Sequence, residues 1–213
     1  MGKVMSGKSI RIDLEKARRI QIMFAKKVLE EDNFEMPIKY VGGIDVAFKS
    51  KYSIGAVVVL DFEKLNVIER KFYVSETSVP YIPTYLAFRE ISVMVGAIRK
   101  LSIKPDIFLV DAHGKCHPRR AGEATHLGVL LNVPTIGVAK SYLTGKERED
   151  GFIVDDNEVL GYRLKPNVYI SVGHRISLRT AIEIVKKLII DGMPEPTKQA
   201  HIYANEVKNM LTI

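Results

Sequence analysis

The order of periodic segments predicts an α/β fold: a mixed β-sheet that opens with a three-strand antiparallel meander, continues with parallel strands, and is flanked by helices. Three observations carry this expectation. Three β-prone runs, Tyr40–Phe48, Ser53–Asp61 and Val67–Val74, follow one another across short polar breaks, which forces antiparallel neighbours. Beyond Val74, helical patterns alternate with short apolar runs. The chain has 213 residues, 46% of them hydrophobic and with no Gly/Pro/Ser-rich linker, so residues 1–213 are expected to form one domain with a sizeable core.

Taken in order, Asp13 is placed to cap a helix running to about Glu31, with apolar positions Leu14, Ala17, Ile20, Ile22, Phe24 and Val28. After the meander, Val79–Pro83 is a loop stiffened by two prolines, and a long helix spans about Thr84 to Leu101. A short apolar strand, Ile107–Val110, comes next, then a helix from about Gly122 to Leu131 and a strand at Thr135–Ala139. Phe152–Val154 and Val168–Val172 are β-rich, and Ser177 is placed to cap a helix reaching about Ile190. Pro194 and Pro196 precede a last helix that ends near Leu211. A right-handed crossover would lay the strand ending at Asp111 parallel to a strand of the meander.

The charge balance narrows the partners. With 32 basic and 25 acidic residues the net charge is +7, a surface that attracts polyanions, of which nucleic acid is the commonest in the cytoplasm. The single cysteine, Cys116, excludes an intramolecular disulfide and fits a reducing interior; it reads as a small side chain beside a turn. No apolar run reaches the roughly 18 residues of a membrane span, and the start MGKVMSGKSI lacks the apolar region of a signal peptide. A cytoplasmic protein without a membrane partner, monomeric by default, is expected.

Three carboxylates occupy unfavourable places. Asp45 interrupts the strand pattern of Val41, Ile44, Val46 and Phe48, where aspartate is disfavoured; the plain alternative is an outward-facing position on a half-exposed strand. Asp111 ends the apolar run Ile107–Val110, and carboxyl ends of parallel strands are where ligands gather in open sheets; a turn-capping Asp is the alternative. Glu90 shares a helical stripe with Leu86, Val93, Ala97 and Leu101, while Phe88, Ile91 and Val95 cover the opposite side, so the helix is apolar nearly all round. A salt bridge to Arg89, Arg99 or Lys100 would explain Glu90 structurally, but none stands at the favoured three- or four-residue spacing. Gathered together, the three charges repel unless a hard cation sits among them. Mg²⁺ suits such oxygen ligands, and at that position it would activate water and stabilise charge on a phosphate.

The strand GGIDVAF, the loop VPYIP, the segment FLVDAHGKCHPRRAGEATHLGVLLNVPTIGVAKS and the tail PEPTKQAH resemble the endonuclease V family, over roughly Tyr40 to Tyr203. The resemblance implies a ribonuclease H-like fold. It implies Mg²⁺-assisted hydrolysis, with Mn²⁺ as a substitute, of the second phosphodiester bond 3′ to deoxyinosine, leaving 3′-hydroxyl and 5′-phosphate ends. The family's metal-site acids fall on Asp45, Glu90 and Asp111, and the histidine of its C-terminal AH pair, a fourth metal-site position, falls on His201, with a polar face residue on the last helix as the alternative. Its strand-separating wedge falls on Pro80, Tyr81, Ile82 and Pro83; two prolines hold Tyr81 and Ile82 outward, where an apolar wedge would unstack a base step. A helix-entry loop with Tyr81 packed on the core is the alternative.

Lys140 matches the lysine of the family's GVAKS segment and is placed to hold the scissile phosphate or neutralise its charge; the segment lacks the spacing of a Walker loop. His117, Arg119 and Arg120 form a basic turn suited to phosphate contacts, with a solvated surface as the alternative for the arginines. In this family the flipped base is read largely by backbone groups, for which Gly114, Gly122 and Gly137 are candidates. Two other readings remain: an endoribonuclease acting on inosine-containing RNA, and a non-catalytic nucleic-acid-binding module.

Overall fold

The computed structural model describes residues 12–212, so the polar start MGKVMSGKSI lies outside the described residues. Three long strands, β1 (Tyr40–Lys49), β2 (Tyr52–Asp61) and β3 (Val67–Glu76), form the expected antiparallel meander. The chain then crosses over through α2 (Leu86–Ile98) to β4 (Ile107–Val110), which pairs parallel with β1. A second crossover, α3 (Glu123–Leu131), leads to β5 (Thr135–Ala139), parallel to β4. Both β4 and β5 are buried along their whole length, which is why they read as unbroken apolar runs.

Beyond β5 the sheet turns antiparallel. The strands β6 (Lys146–Glu147), β7 (Phe152–Asp155), β8 (Glu158–Lys165) and β9 (Val168–His174) complete a nine-stranded sheet in the order β3-β2-β1-β4-β5-β9-β8-β7-β6. The sequence reading found β7 and β9 but not β6 or β8. The missed signal is local: β7 and β8 are joined by Asp156-Asn157, both at positive φ (46° and 69°), the geometry of a two-residue hairpin turn.

Helices cover both faces. The α2 and α3 helices pack on Ile44, Val57, Phe108 and Val110, and α1 (Leu14–Ala25) lies against α3. On the other face, α4 (Leu178–Leu188) and α5 (Glu195–Met210) close over a core that includes Val41, Leu109, Ile136, Ile170 and Val185. A short pair of strands, β10 (Ile189–Ile190) and β11 (Met193–Pro194), joins α4 to α5.

Three boundaries differ from the periodicity, each for a tertiary reason. The first helix, capped by Asp13 as expected, stops at Ala25; the following turn brings the Leu29 N–H to His174 Nδ1 at 3.3 Å and Glu30 to Lys115 Nζ at 2.7 Å. The second helix starts at Leu86 because Thr84 stands at φ 67°, outside helical space. The last helix starts at Glu195, so Pro196 sits in its first turn, where its missing N–H is not needed.

Gly43 in β1 and Gly55 in β2 set how closely the two layers approach the sheet. A Cβ on Gly43 would lie 1.8 Å from the Pro196 carbonyl oxygen, and one on Gly55 would lie 2.3 Å from that of Val93. The α5 backbone therefore rests directly on β1 two residues from Asp45. Gly43→Ala is expected to lower stability by about 1–3 kcal/mol or more, since an immobile backbone fills the space. Urea denaturation measures it, and an unchanged midpoint would show that α5 does not sit this close.

Candidate active site

The parallel pairing of β1 with β4 positions the first two acids. Ile44 pairs with Val110, and the Asp111 N–H donates to the Ile44 carbonyl at 3.1 Å, so Asp45 and Asp111 occupy the next rung together. Because β4 ends at Val110, the sheet offers Asp45 no further ladder partner on that side, and a cleft opens there. The α5 helix, seated on Gly43, brings His201 across 156 residues of sequence to within 2.8 Å of the Asp45 carboxylate through Nδ1. Lys140, just past the end of β5, reaches Asp111 Oδ2 with its Nζ at 3.1 Å.

These contacts leave a strained charge balance. Asp45 and Asp111 are largely enclosed, with side chains 14% and 12% exposed, while their partners His201 and Lys140 are more than half exposed. Burial and the Asp111 charge push the Asp45 carboxyl above its usual range, against the pull of His201. One ligand atom from each of Asp45, Asp111 and His201 falls within 4.8 Å of the other two. Two hard carboxylate oxygens and an imidazole, converging on one point and electrostatically under-compensated, fit a divalent cation with open coordination positions.

Glu90 lies outside that group of three. Val46 pairs with Gly55, whose face carries α2, so Glu90 approaches from the side of the sheet opposite Asp45 and meets the cleft around the end of β4. It is buried, and burial together with the charges of Asp45 and Asp111 lifts its carboxyl to about 7, although a hydrogen bond with Glu123 opposes that rise.

Glu123 was not found from the sequence. It is the first residue of α3, 3% exposed, and its Oε1 has no hydrogen-bond partner. Burial, and then the charge of Glu90, push its carboxyl well above the usual range. A Glu in the first turn of a helix ordinarily reads as a dipole-complementing surface residue, so its position in GEATH carried no distinguishing signal.

Asp45, Glu90, Asp111, Glu123, Lys140 and His201 line one cavity of about 470 Å³. Tyr81 and Pro83 stand on its wall, and Tyr81 is 65% exposed, so it does not pack on the core. The basic turn departs from expectation. His117 is buried and Arg119 faces inward, both bonded to the Thr84 carbonyl. Arg120 is taken up by Glu158 at 2.7 Å and Asp155 at 3.0 Å, acids supplied by the β7–β8 hairpin that the sequence reading had not resolved. Of the three glycines, Gly122 lines the cavity, while Gly114 and Gly137 stand behind it. A Cβ on Gly137 would lie 2.4 Å from the Gly114 nitrogen, and one on Gly114 2.1 Å from the Val172 carbonyl, so both serve close backbone packing.

The Glu90–Glu123 pair gives metal-free protein a pH signature. The folded state holds a proton that the unfolded chain releases, so this contribution to stability is complete below the ordinary value of 4.5 and is lost as pH rises through about 7. The melting temperature of metal-free protein is expected to fall between about pH 5 and about pH 8, and Glu123→Gln to flatten that fall. Calorimetry across the interval checks this; a wild-type melting temperature that rises with pH, or a variant with the same slope, contradicts it.

Comparison with known proteins agrees with the geometry. The endonuclease V family model matches residues 22–202. Endonuclease V of Thermofilum pendens is 42% identical over 202 residues, covering 90% of this chain and 87% of its own. The crystal structure of Streptomyces avermitilis endonuclease V superposes with a TM-score of 0.84 at 32% identity, covering 97% of each chain. Endonuclease V of Ciona intestinalis, crystallised with a 23mer DNA containing an inosine followed by a ribo-adenosine, superposes with a TM-score of 0.84 at 29% identity, over 93% of this chain and 99% of that one. The sheet order, the helices on both faces and these likenesses identify a ribonuclease H-like fold, and the chain belongs to the endonuclease V family of nucleases.

Proposed function

We propose that this chain, acting as one domain, cuts DNA beside deoxyinosine by hydrolysing the second phosphodiester bond 3′ to the lesion, leaving 3′-hydroxyl and 5′-phosphate ends. The observation that carries the reading is the Asp45–Asp111–His201 cluster, open to a cavity whose wall bears an exposed tyrosine. The inosine-containing DNA bound by the Ciona relative supports the substrate class.

Asp45 and Asp111 would hold a Mg²⁺ ion, or Mn²⁺ in its place, with His201 and the more distant Glu90 orienting the cluster. Such an ion, when bound, lowers the pKa of water and stabilises charge on the phosphate. The chain's own residues do the rest. Lys140, 59% exposed yet 3.1 Å from Asp111, would hold the scissile phosphate against the acids. Tyr81, carried by Pro80, Ile82 and Pro83, enters the base stack, and the extruded base occupies the inner part of the cavity near Gly122, Leu86 and Leu143. The net charge of +7 draws the polyanion in, so binding weakens as salt rises. No helix among the described residues is long and apolar enough to cross a membrane.

The direct test is cleavage of matched inosine-containing DNA and RNA oligonucleotides with Mg²⁺. Wild-type protein is expected to nick the DNA one nucleotide beyond the bond next to inosine. Asp45→Asn and Asp111→Asn are expected to lose on the order of 10³-fold in rate, since several kcal/mol of charge stabilisation depend on the ligands, while still binding the duplex. Undiminished cleavage in both variants would remove the acids from the reaction, and a preference for the RNA strand would change the substrate.

A further inference from the structure

Thr84 joins the Pro80–Pro83 loop to α2, and it stands at φ 67°, a left-handed conformation that β-branched residues seldom take. Such a backbone persists only where its surroundings over-determine it. Here they do. The Thr84 carbonyl accepts hydrogen bonds from three side chains: Gln21 Nε2 at 2.7 Å, Arg119 Nη2 at 2.9 Å and His117 Nε2 at 3.0 Å. The same Arg119 nitrogen donates to Thr84 Oγ1 at 2.5 Å, while Arg119 Nε donates to Gln21 Oε1 at 2.5 Å. The guanidinium also lies 4.4 Å over the Tyr85 ring. His117 Nδ1 accepts the Arg119 backbone N–H at 3.1 Å, which leaves Nε2 to carry the ring proton and donate to Thr84.

This network has an uneven origin along the chain. Gln21 comes from α1, where only it and Ala17 are buried, so the helix inserts one polar side chain into the body of the protein at this point. His117 and Arg119 come from the turn that follows Asp111, and Thr84 lies just before the helix that carries Glu90. The knot therefore ties the tyrosine loop and the helix of one acid to the loop that follows another.

We propose that Gln21, His117 and Arg119 are positioning residues: a clamp on the Thr84 carbonyl that fixes the Tyr81 loop relative to the acid cluster, so that strand opening and phosphate placement are set by one rigid unit. The proposal rests on reading Tyr81 as the wedge. A purely structural knot would lower stability and slow cleavage of every substrate alike. A clamp would instead matter most where the DNA must be opened.

The experiment compares cleavage of inosine duplex with cleavage of inosine single strand in wild type, Tyr81→Ala, Gln21→Leu, Arg119→Lys and the Gln21→Leu/Tyr81→Ala double variant. Fluorescence of a 2-aminopurine beside the inosine reports unstacking. Gln21→Leu and Arg119→Lys are each expected to lower the duplex-to-single-strand rate ratio by about tenfold, the scale of one or two lost hydrogen bonds. They are also expected to reduce the fluorescence rise. Arg119→Lys keeps the charge but not the fork of donors, so it separates clamping from phosphate attraction and also serves if Gln21→Leu does not fold. The double variant is expected to fall no further than Tyr81→Ala alone, because both act through one element. Equal losses on both substrates, or additive losses in the double variant, would overturn the clamp while leaving the wedge in place. If Tyr81→Ala itself shows no duplex selectivity, the wedge reading fails and the clamp's role falls with it.

Discussion

Two carboxylates on the same rung of a parallel strand pair repel each other, and that repulsion governs the rest of the site. The parallel register Ile44–Val110 makes the adjacency of Asp45 and Asp111 unavoidable once the crossover has formed. Water cannot fully relieve it, because both side chains are mostly enclosed. The fold supplies partial compensation from two exposed basic side chains, His201 from α5 and Lys140 just past the end of β5. Neither is buried, and partial compensation is what a site that must accept and release a cation and a phosphate requires.

The glycines explain how secondary elements come close enough to build this arrangement. Gly43 allows the start of α5 to lie on the strand that bears Asp45, and Gly55 does the same for the helix that bears Glu90. Gly114, Gly122 and Gly137 form a second set, packing the middle of β5, β9, the turn after β4 and the start of α3 against one another's backbones. Through that stack Glu123 arrives beside Glu90, and burial pushes both carboxyls above their usual range. The cavity thus grades from an inner pair of buried carboxyls, through the Asp45–Asp111 pair, to an exposed tyrosine on its wall.

Much of this arrangement is legible in the sequence. Asp45 and Asp111 stood out because each breaks an apolar strand pattern, and the crossover rule placed the two strands side by side. Glu90 stood out because nothing on its own helix stood at a spacing to pair with it. What stayed hidden depends on distant partners. Arg120 reads as a free cation until the β7–β8 hairpin supplies Asp155 and Glu158. His117 and Arg119 read as phosphate contacts until Thr84 presents its carbonyl from a left-handed turn. Glu123 reads as a helix-start residue until the glycine stack buries it. The hairpin itself could have been found, because Asp156-Asn157 between two apolar runs is a turn signal that was passed over.

Whether the Asp45–Asp111 rung holds a divalent ion decides the chemistry of the site. Crystals soaked in Mn²⁺ and measured at the manganese absorption edge test this without any substrate. An anomalous peak is expected at a bonding distance of about 2 Å from one oxygen of each aspartate, with His201 on its border. A peak elsewhere, or none at that rung while the two carboxylates keep their places, would contradict it.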